Sequence, residues 1–350
     1  MKKITPAKIS IFIITLCILI GVWFVYTEIY TAKSQKVDQI TFQINLGESV
    51  SDLADRLESE YVIRNAWLFK KYIFFKGIDR EIRQGNFQVN SPITLAHVVK
   101  SLANPSVSEQ TITILPGWNL RDIAKYFESQ GIIANADELY AVVGKPAYNY
   151  KVLADHAPAI EADLPVLRDK PDYVSYEGYI APDTYRVFKD ASVSDIVQKL
   201  IKERDGQFTD EMYSEITKSN RTVFEVLTVA SIVEREVQYK ADKAKVADIF
   251  WRRYDLNWAL QADSTVHYVV GTDGDVFTTK DDRESLSPWN TYKYPGLPFG
   301  PISSPSLATI QAVIHPEINN DWYFLTDSEG NVHYAETLEG HNLNVGRYLR

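Results

Sequence analysis

The chain has 350 residues, enough for two or three domains, or for one domain with an anchor and a smaller module. A formal net charge of -9 excludes a nucleic acid as partner for the bulk of the chain. The single cysteine, Cys17, lies in an apolar run, which excludes an internal disulfide and a cysteine-type zinc site.

Ile9 to Tyr26 is 18 residues without a charge, preceded by Lys2, Lys3 and Lys8. A run of that length with its flanks approaches the roughly 30 Å hydrocarbon core of a bilayer. We therefore expect residues 9–29 to span the cell membrane and residues 1–8 to be cytoplasmic, because basic flanks stay inside. The sequence after the run is bulky (Gly21-Val22-Trp23-Phe24-Val25-Tyr26), so it predicts an uncleaved anchor, not a signal peptide. Trp23, Tyr26 and Tyr30 suit the outer interfacial belt. Residues 27–38 are polar and read as a short stalk.

An internal repeat follows. Thr41 to Gly47 resembles Thr111 to Gly117, an offset of 70 residues. Downstream, Val50, Leu53, Ala54 and Leu57 match Leu120, Ile123, Ala124 and Phe127 at helical spacing. Ser49 and Asn119 stand where N-caps are needed. Between the copies, Gly85–Val89 predicts a strand and Pro92–Leu102 a helix. Residues 39–144 thus read as an α/β repeat module resembling LysM modules, which bind amino-sugar polymers; a plain spacer is the equal alternative. Residues 145–172 carry Pro146, Pro158, Pro165 and Pro171 and read as a connection or insertion. Residues 173–350 hold the chemistry, and strands are expected near Trp322–Leu325 and Val332–Ala335. The fold class is α+β.

In Thr222 to Val237 the apolar residues leave almost no polar face, the pattern of a buried helix. It ends in Glu234-Arg235-Glu236. A carboxyl at such an end is desolvated, its pKa rises, and it can serve as a general acid. The alternative is a solvated helix end with Glu234 paired to a base. An amphipathic helix is expected over Ala241–Arg253. Leu260-Gln261-Ala262-Asp263-Ser264-Thr265 and Pro288 to Ile302 follow. The prolines and glycines of the latter predict an ordered loop. None of the six histidines (97, 156, 267, 315, 333, 341) shows metal-ligand spacing, and no Gly-x-Ser-x-Gly elbow or phosphate loop occurs.

Ala230 to Glu236, Leu260 to Thr265, Asn290-Thr291-Tyr292 with Gly296-Leu297-Pro298, His315-Pro316, His341-Asn342, and Glu177-Gly178-Tyr179 with Pro182-Asp183-Thr184-Tyr185 together resemble the endolytic murein transglycosylase (YceG-like) family. Ser264 and Trp289 depart from its pattern, which often has Pro and Tyr there. The resemblance implies that Glu234 is the catalytic acid, with Glu236 a recurring acid two residues on that points away from it. It implies that Glu177, Asp183, Gln261, Asp263, Thr265, Asn290, Thr291 and Tyr292 line the cleft. The implied reaction cleaves the glycosidic bond between N-acetylmuramic acid and N-acetylglucosamine in peptidoglycan, leaving 1,6-anhydro ends with one acid/base, no metal and no cofactor. Implied partners are peptidoglycan strands and penicillin-binding proteins. A non-catalytic glycan-binding anchor and a hydrolytic muramidase are the competing readings. The muramidase would need a second carboxylate, for which Asp263, Asp183 and Glu177 are candidates.

Overall fold

A computed structural model describes residues 6–32, 39–45, 47–79, 82, 85–103, 109–153, 156–160, 162–189, 191–271 and 279–349. Contacts divide the chain into two compact units: residues 1–111 with 186–190, and residues 112–185 with 191–350.

In the first unit, the uncharged run forms helix α1 (Pro6–Tyr30). The helix is long and apolar enough to cross a membrane. Residues 1–5 of the expected cytoplasmic segment lie outside the described residues. The stalk expected over 27–38 is not a stalk at its start. There α1 continues to Tyr30, and Ile29 is buried in the core of the unit. Arg64 also holds the chain beyond, donating to Ala32 O at 2.8 Å and Thr31 Oγ1 at 3.3 Å. Residues 33–38 lie outside the described residues.

Strand β1 (Gln39–Ile44) alternates, turning Phe42 and Ile44 inward. Helix α2 (Val50–Ser59) buries Leu53, Ala54 and Leu57, and helix α3 (Ala66–Lys76) buries Leu68, Phe69 and Ile73. Ser49 caps α2 by accepting from Asp52 N, and Asn65 caps α3 by accepting from Leu68 N. Strand β2 (Gly85–Asn90) pairs antiparallel with β1, setting Phe42 opposite Phe87 with ring centroids 5.8 Å apart. Helix α4 (Leu95–Ala103) closes this core with Val98, Val99 and Leu102.

Strand β3 (Glu109–Thr113) opens the second copy of the repeat, followed by helices α5 (Leu120–Ser129) and α6 (Ala136–Val143). Asn119 and Asp122 form a reciprocal capping box on α5. The two copies share element order but not location, for α5 and α6 belong to the second unit. The reason is local. Gly117 N donates to Ser304 O at 2.9 Å and Ser304 N to Trp118 O at 2.7 Å, tying the turn of this copy to the loop before a late helix. Segment 145–172 forms two short 3-10 turns, and Val166 within it is fully buried.

Strand β4 (Thr184–Phe188) pairs with β3. Then come α7 (Val193–Gly206), α8 (Asp210–Lys218), α9 (Val223–Glu236), α10 (Lys240–Asp255), α11 (Asp263–Val270), the short α12 (Lys280–Arg283) and α13 (Leu307–Ile314). Strands β5 (Tyr323–Thr326) and β6 (Val332–Ala335) form a hairpin, and α14 (Leu338–Tyr348) ends the fold. As its sequence demands, α9 is buried from Val226 through Val233 and packs against α8, α10, α11 and α13. The whole is a mixed α/β fold with one apolar N-terminal helix.

Candidate active site

The C-terminal turn of α9 presents two carboxyl groups to two different surroundings. Residues i and i+2 of a helix are about 200° apart, so Glu234 and Glu236 diverge.

Glu234 faces α10 and α13. Its Oε1 accepts from Lys243 Nζ at 2.8 Å, and both side chains are 8% exposed. Its Oε2 accepts from the Ser306 N–H and hydroxyl, each at 2.8 Å, and from the Thr309 hydroxyl. Lys243 also donates to Thr309 Oγ1 at 2.7 Å, closing the network. Burial by itself raises the pKa of Glu234. The Lys243 ammonium and the Thr309 and Ser306 hydrogen bonds outweigh it, and the net shift is downward. Arg204, fully buried, adds a second positive charge to this region: burial pushes its pKa down to about 10, while Tyr185 and then Glu234 oppose that shift. Glu234 is thus an ionised carboxylate with both oxygens engaged.

Glu236 faces α11. Its Oε1 accepts the Ser264 N–H at 3.3 Å, and its backbone carbonyl accepts the Thr326 hydroxyl at 3.0 Å. Glu234 and Glu236 are both half-buried, and protein surrounds Glu236 the more densely of the two. Burial raises its pKa, contact with Ser264 works against this, and the nearby Asp263 charge adds to the rise. The net direction is upward, the opposite of Glu234.

The loop residues sort into two groups. Asp263 Oδ1 accepts the Tyr292 hydroxyl at 3.0 Å and pairs with Arg283 at 3.3 Å. The Arg283 guanidinium lies 4.9 Å from the Tyr292 ring centroid. These groups keep partial exposure beside Glu236. Thr265, Asn290 and Thr291 are buried beneath them. The Thr265 and Thr291 hydroxyls are 2.9 Å apart, and the Ala262 N–H donates to Thr291 Oγ1 at 3.0 Å. The Asn290 amide donates to the Arg283 and Ser285 carbonyls, each at 2.9 Å, and its Oδ1 accepts the Tyr292 N–H at 3.0 Å. These three residues hold the loop in shape and so aim Asp263 and Tyr292. Gln261 is exposed, in a left-handed conformation (φ 54°), with its N–H on Thr291 O at 3.1 Å.

Two expected cleft residues sit elsewhere. Glu177 is 2% exposed and caps the start of α5, taking the Leu120 N–H on both oxygens (3.1 and 3.2 Å) and the Tyr268 hydroxyl at 3.1 Å. Burial pushes its carboxyl up to about 8. Its contacts are internal, so it anchors the second repeat copy and presents nothing to a ligand. Asp183 is exposed at the start of β4, where its Oδ1 accepts the Thr184 N–H at 2.6 Å. Among the described residues, no group of three His, Cys, Asp or Glu side chains could hold a metal ion.

The alternative reading, in which Glu234 pairs with a nearby base, holds as to the pairing, and a signal pointed to Lys243 in particular. Lys243 stands at i, i+3, i+4 and i+7 with Val246, Ala247 and Phe250, on the apolar stripe of α10. A lysine on a buried stripe requires a carboxylate.

Comparison with known proteins adds an independent line. The YceG-like family model matches residues 42–347. A protein of Bacillus subtilis (strain 168) named endolytic murein transglycosylase is 31% identical over 343 residues, covering 95% of this chain and 91% of its own. One of the same name from Streptococcus pneumoniae serotype 2 is 26% identical over 344 residues; the match covers 94% of this chain and 62% of that protein. The crystal structure of a yceG-like protein from Listeria monocytogenes is similar with a TM-score of 0.56 at 31% identity, covering 87% of this chain and 98% of that one.

Proposed function

The chain belongs to the YceG-like family, and on that footing we propose that it is an endolytic lytic transglycosylase of peptidoglycan whose acid/base is Glu234. The observation that carries the residue assignment is the place of Glu234 at the end of the buried α9, cradled by Lys243, Ser306 and Thr309, at the motif position where the resemblance puts the acid. A general acid must hold a proton and give it up to substrate. In the free protein those donors hold the Glu234 carboxyl low, so it takes up its proton as substrate loosens them; Glu236, which burial holds up, is the alternative acid.

The protonated acid donates to the glycosidic oxygen between N-acetylmuramic acid and N-acetylglucosamine as the bond breaks toward an oxocarbenium-like state. The carboxylate left behind then takes the proton of the muramic C6 hydroxyl as that oxygen closes on the anomeric carbon. One carboxyl returns to its starting state, no water is consumed, and a 1,6-anhydro end results. Asp263 and Tyr292 stand beside Glu236, the other carboxyl of the same turn. Lys243 on α10 and Ser306 and Thr309 at the start of α13 hold Glu234 and fix its position.

The Asp263 charge felt by Glu236 also favours a second reading, a muramidase in which Asp263 activates water or attacks the sugar. Products separate the two. The α1 helix anchors the chain with its N-terminus in the cytoplasm and its second unit outside. The first repeat copy serves as a LysM-like glycan-binding part. Penicillin-binding proteins, which make the strands, are the partners this role implies.

The test is mass spectrometry of peptidoglycan digested by the full chain in detergent, with Glu236→Gln and Glu234→Gln beside it. Anhydro-ended muropeptides are expected from the parent. Glu234→Gln, assayed at a temperature where it stays folded, is expected to lose about 10²–10⁴-fold in rate, and Glu236→Gln far less. Glu234→Gln is expected to lose about 3–5 kcal/mol of stability, because it leaves Lys243 buried without its counter-charge. Reducing ends in place of anhydro ends would transfer the assignment to a hydrolase. Full activity of Glu234→Gln beside an inactive Glu236→Gln would move the acid role to Glu236.

A further inference from the structure

Helix α3 buries one side and yet is apolar on the other. Ala66, Phe69 and Ile73 enter the core, while Trp67, Phe74 and Phe75 are 63%, 75% and 81% exposed. The exposed three stand at i, i+7 and i+8, with the exposed Lys71 at i+4, so they form one stripe along one face. Large apolar residues exposed singly need no explanation; a contiguous aromatic stripe does.

The position of the stripe within the first unit supplies the occupant. Arg64, two residues before α3, bonds to Thr31 Oγ1 and Ala32 O, the first residues beyond α1. Tyr72, midway along α3, lines the same cavity as Tyr30, the last residue of α1. Ile29 is buried in the same core as α3 and α4. The end of the apolar helix and α3 are held together just before the first turn of α3 and again at its middle. With α1 across a bilayer, α3 is kept at the height of the headgroups. A cavity of about 530 Å³ at this junction is lined by Tyr30, Tyr72, Lys76, His97 and Lys100, a basic and phenolic set that suits phosphate headgroups. Trp and Phe beside Lys is the composition of a helix lying in the interface plane.

We propose that α3 is an interfacial helix, with Trp67, Phe74 and Phe75 entering the headgroup–acyl boundary of the membrane that holds α1 and Lys71 and Lys76 meeting anionic headgroups. The first unit then lies on the bilayer as a platform and is not raised above it. This inference rests on α1 being a membrane span, which the same experiment checks separately.

The test uses the full chain in a Cys17→Ser background, with single cysteines Trp23→Cys or Phe75→Cys carrying an environment-sensitive fluorophore. The protein is placed at one copy per nanodisc of mixed phosphatidylcholine and phosphatidylglycerol. Blue-shifted emission and quenching by lipid-borne doxyl groups are expected at both positions, relative to the free dye–cysteine adduct in water. Trp23 shielded while Phe75 matches the free adduct would overturn the proposal and leave the span standing. Trp23 open to water would remove the span and the proposal with it. Shielding of Phe75 only in discs holding two copies would assign the stripe to a second chain and overturn the lipid reading.

Discussion

A carboxyl group is defined by its surroundings, and this chain holds three contrasting cases. Glu234, Glu236 and Glu177 are all desolvated, which alone would raise all three. Glu234 meets a lysine and three hydrogen bonds from Ser306 and Thr309, so it is driven down. Glu236 meets a backbone amide and a neighbouring carboxylate, so it stays up. Glu177, pushed up to about 8, gives a prediction with a definite sign. Its folded pKa lies above its unfolded one, so the stability it contributes is full below about pH 4.5 and is lost as pH rises through about 8. Glu236 acts in the same direction and Glu234 in the opposite one, so the informative quantity is parent against Glu177→Gln. The parent is expected to lose more stability between pH 5.5 and pH 8 than the variant does, by urea unfolding at each pH. Equal losses would mean that Glu177 titrates normally in the fold. The sequence made the desolvation of Glu234 and Glu236 legible through the apolar run before them. Lys243 and Ser306, which decide between the two, are 9 and 72 residues away from Glu234 in the chain.

At the scale of elements, α9 is the piece most fully written in the sequence. Thr222 and Glu225 form its capping box, its middle is apolar on every face, and it ends where the charged residues begin. The loops around it were legible as ordered but not in their purpose. Gln261 to Thr265 and Asn290 to Tyr292 looked like one set of sugar-binding polar groups. Burial splits them, and Thr265, Asn290 and Thr291 bond inward while Asp263 and Tyr292 stay reachable. Gly178 shows how closely the loops are fitted. It adopts φ +82°, and a Cβ there would stand 2.6 Å from Pro301 Cβ. Gly178→Ala is therefore expected to cost about 2–4 kcal/mol, from left-handed strain plus overpacking against the loop that leads to Ser306. Chemical denaturation of the variant checks this, and a loss under about 0.5 kcal/mol would show that the Pro301 loop yields freely.

For the whole molecule, an apolar N-terminal helix long enough to span a bilayer is expected to keep the chain in the membrane pellet through alkaline carbonate extraction. Release into the supernatant would count against the anchor. Sequence periodicity by itself determined the apolar helix, the internal repeat, its caps, the buried helix and the late strand pair, because each is set by neighbours within about two turns of chain. The motif set in its order likewise carried the family. Tertiary structure alone decided where the pieces belong. The first repeat copy packs below α1, and the second is bonded to the Ser304 loop and to Glu177. It decided that the expected stalk starts as docked helix, because a buried Ile29 is a long-range contact. It also separated Glu234 from Glu236. Desolvation can be read from a run of apolar residues, but the sign of a pKa depends on which distant group meets the carboxyl, and only the folded chain brings that group to it.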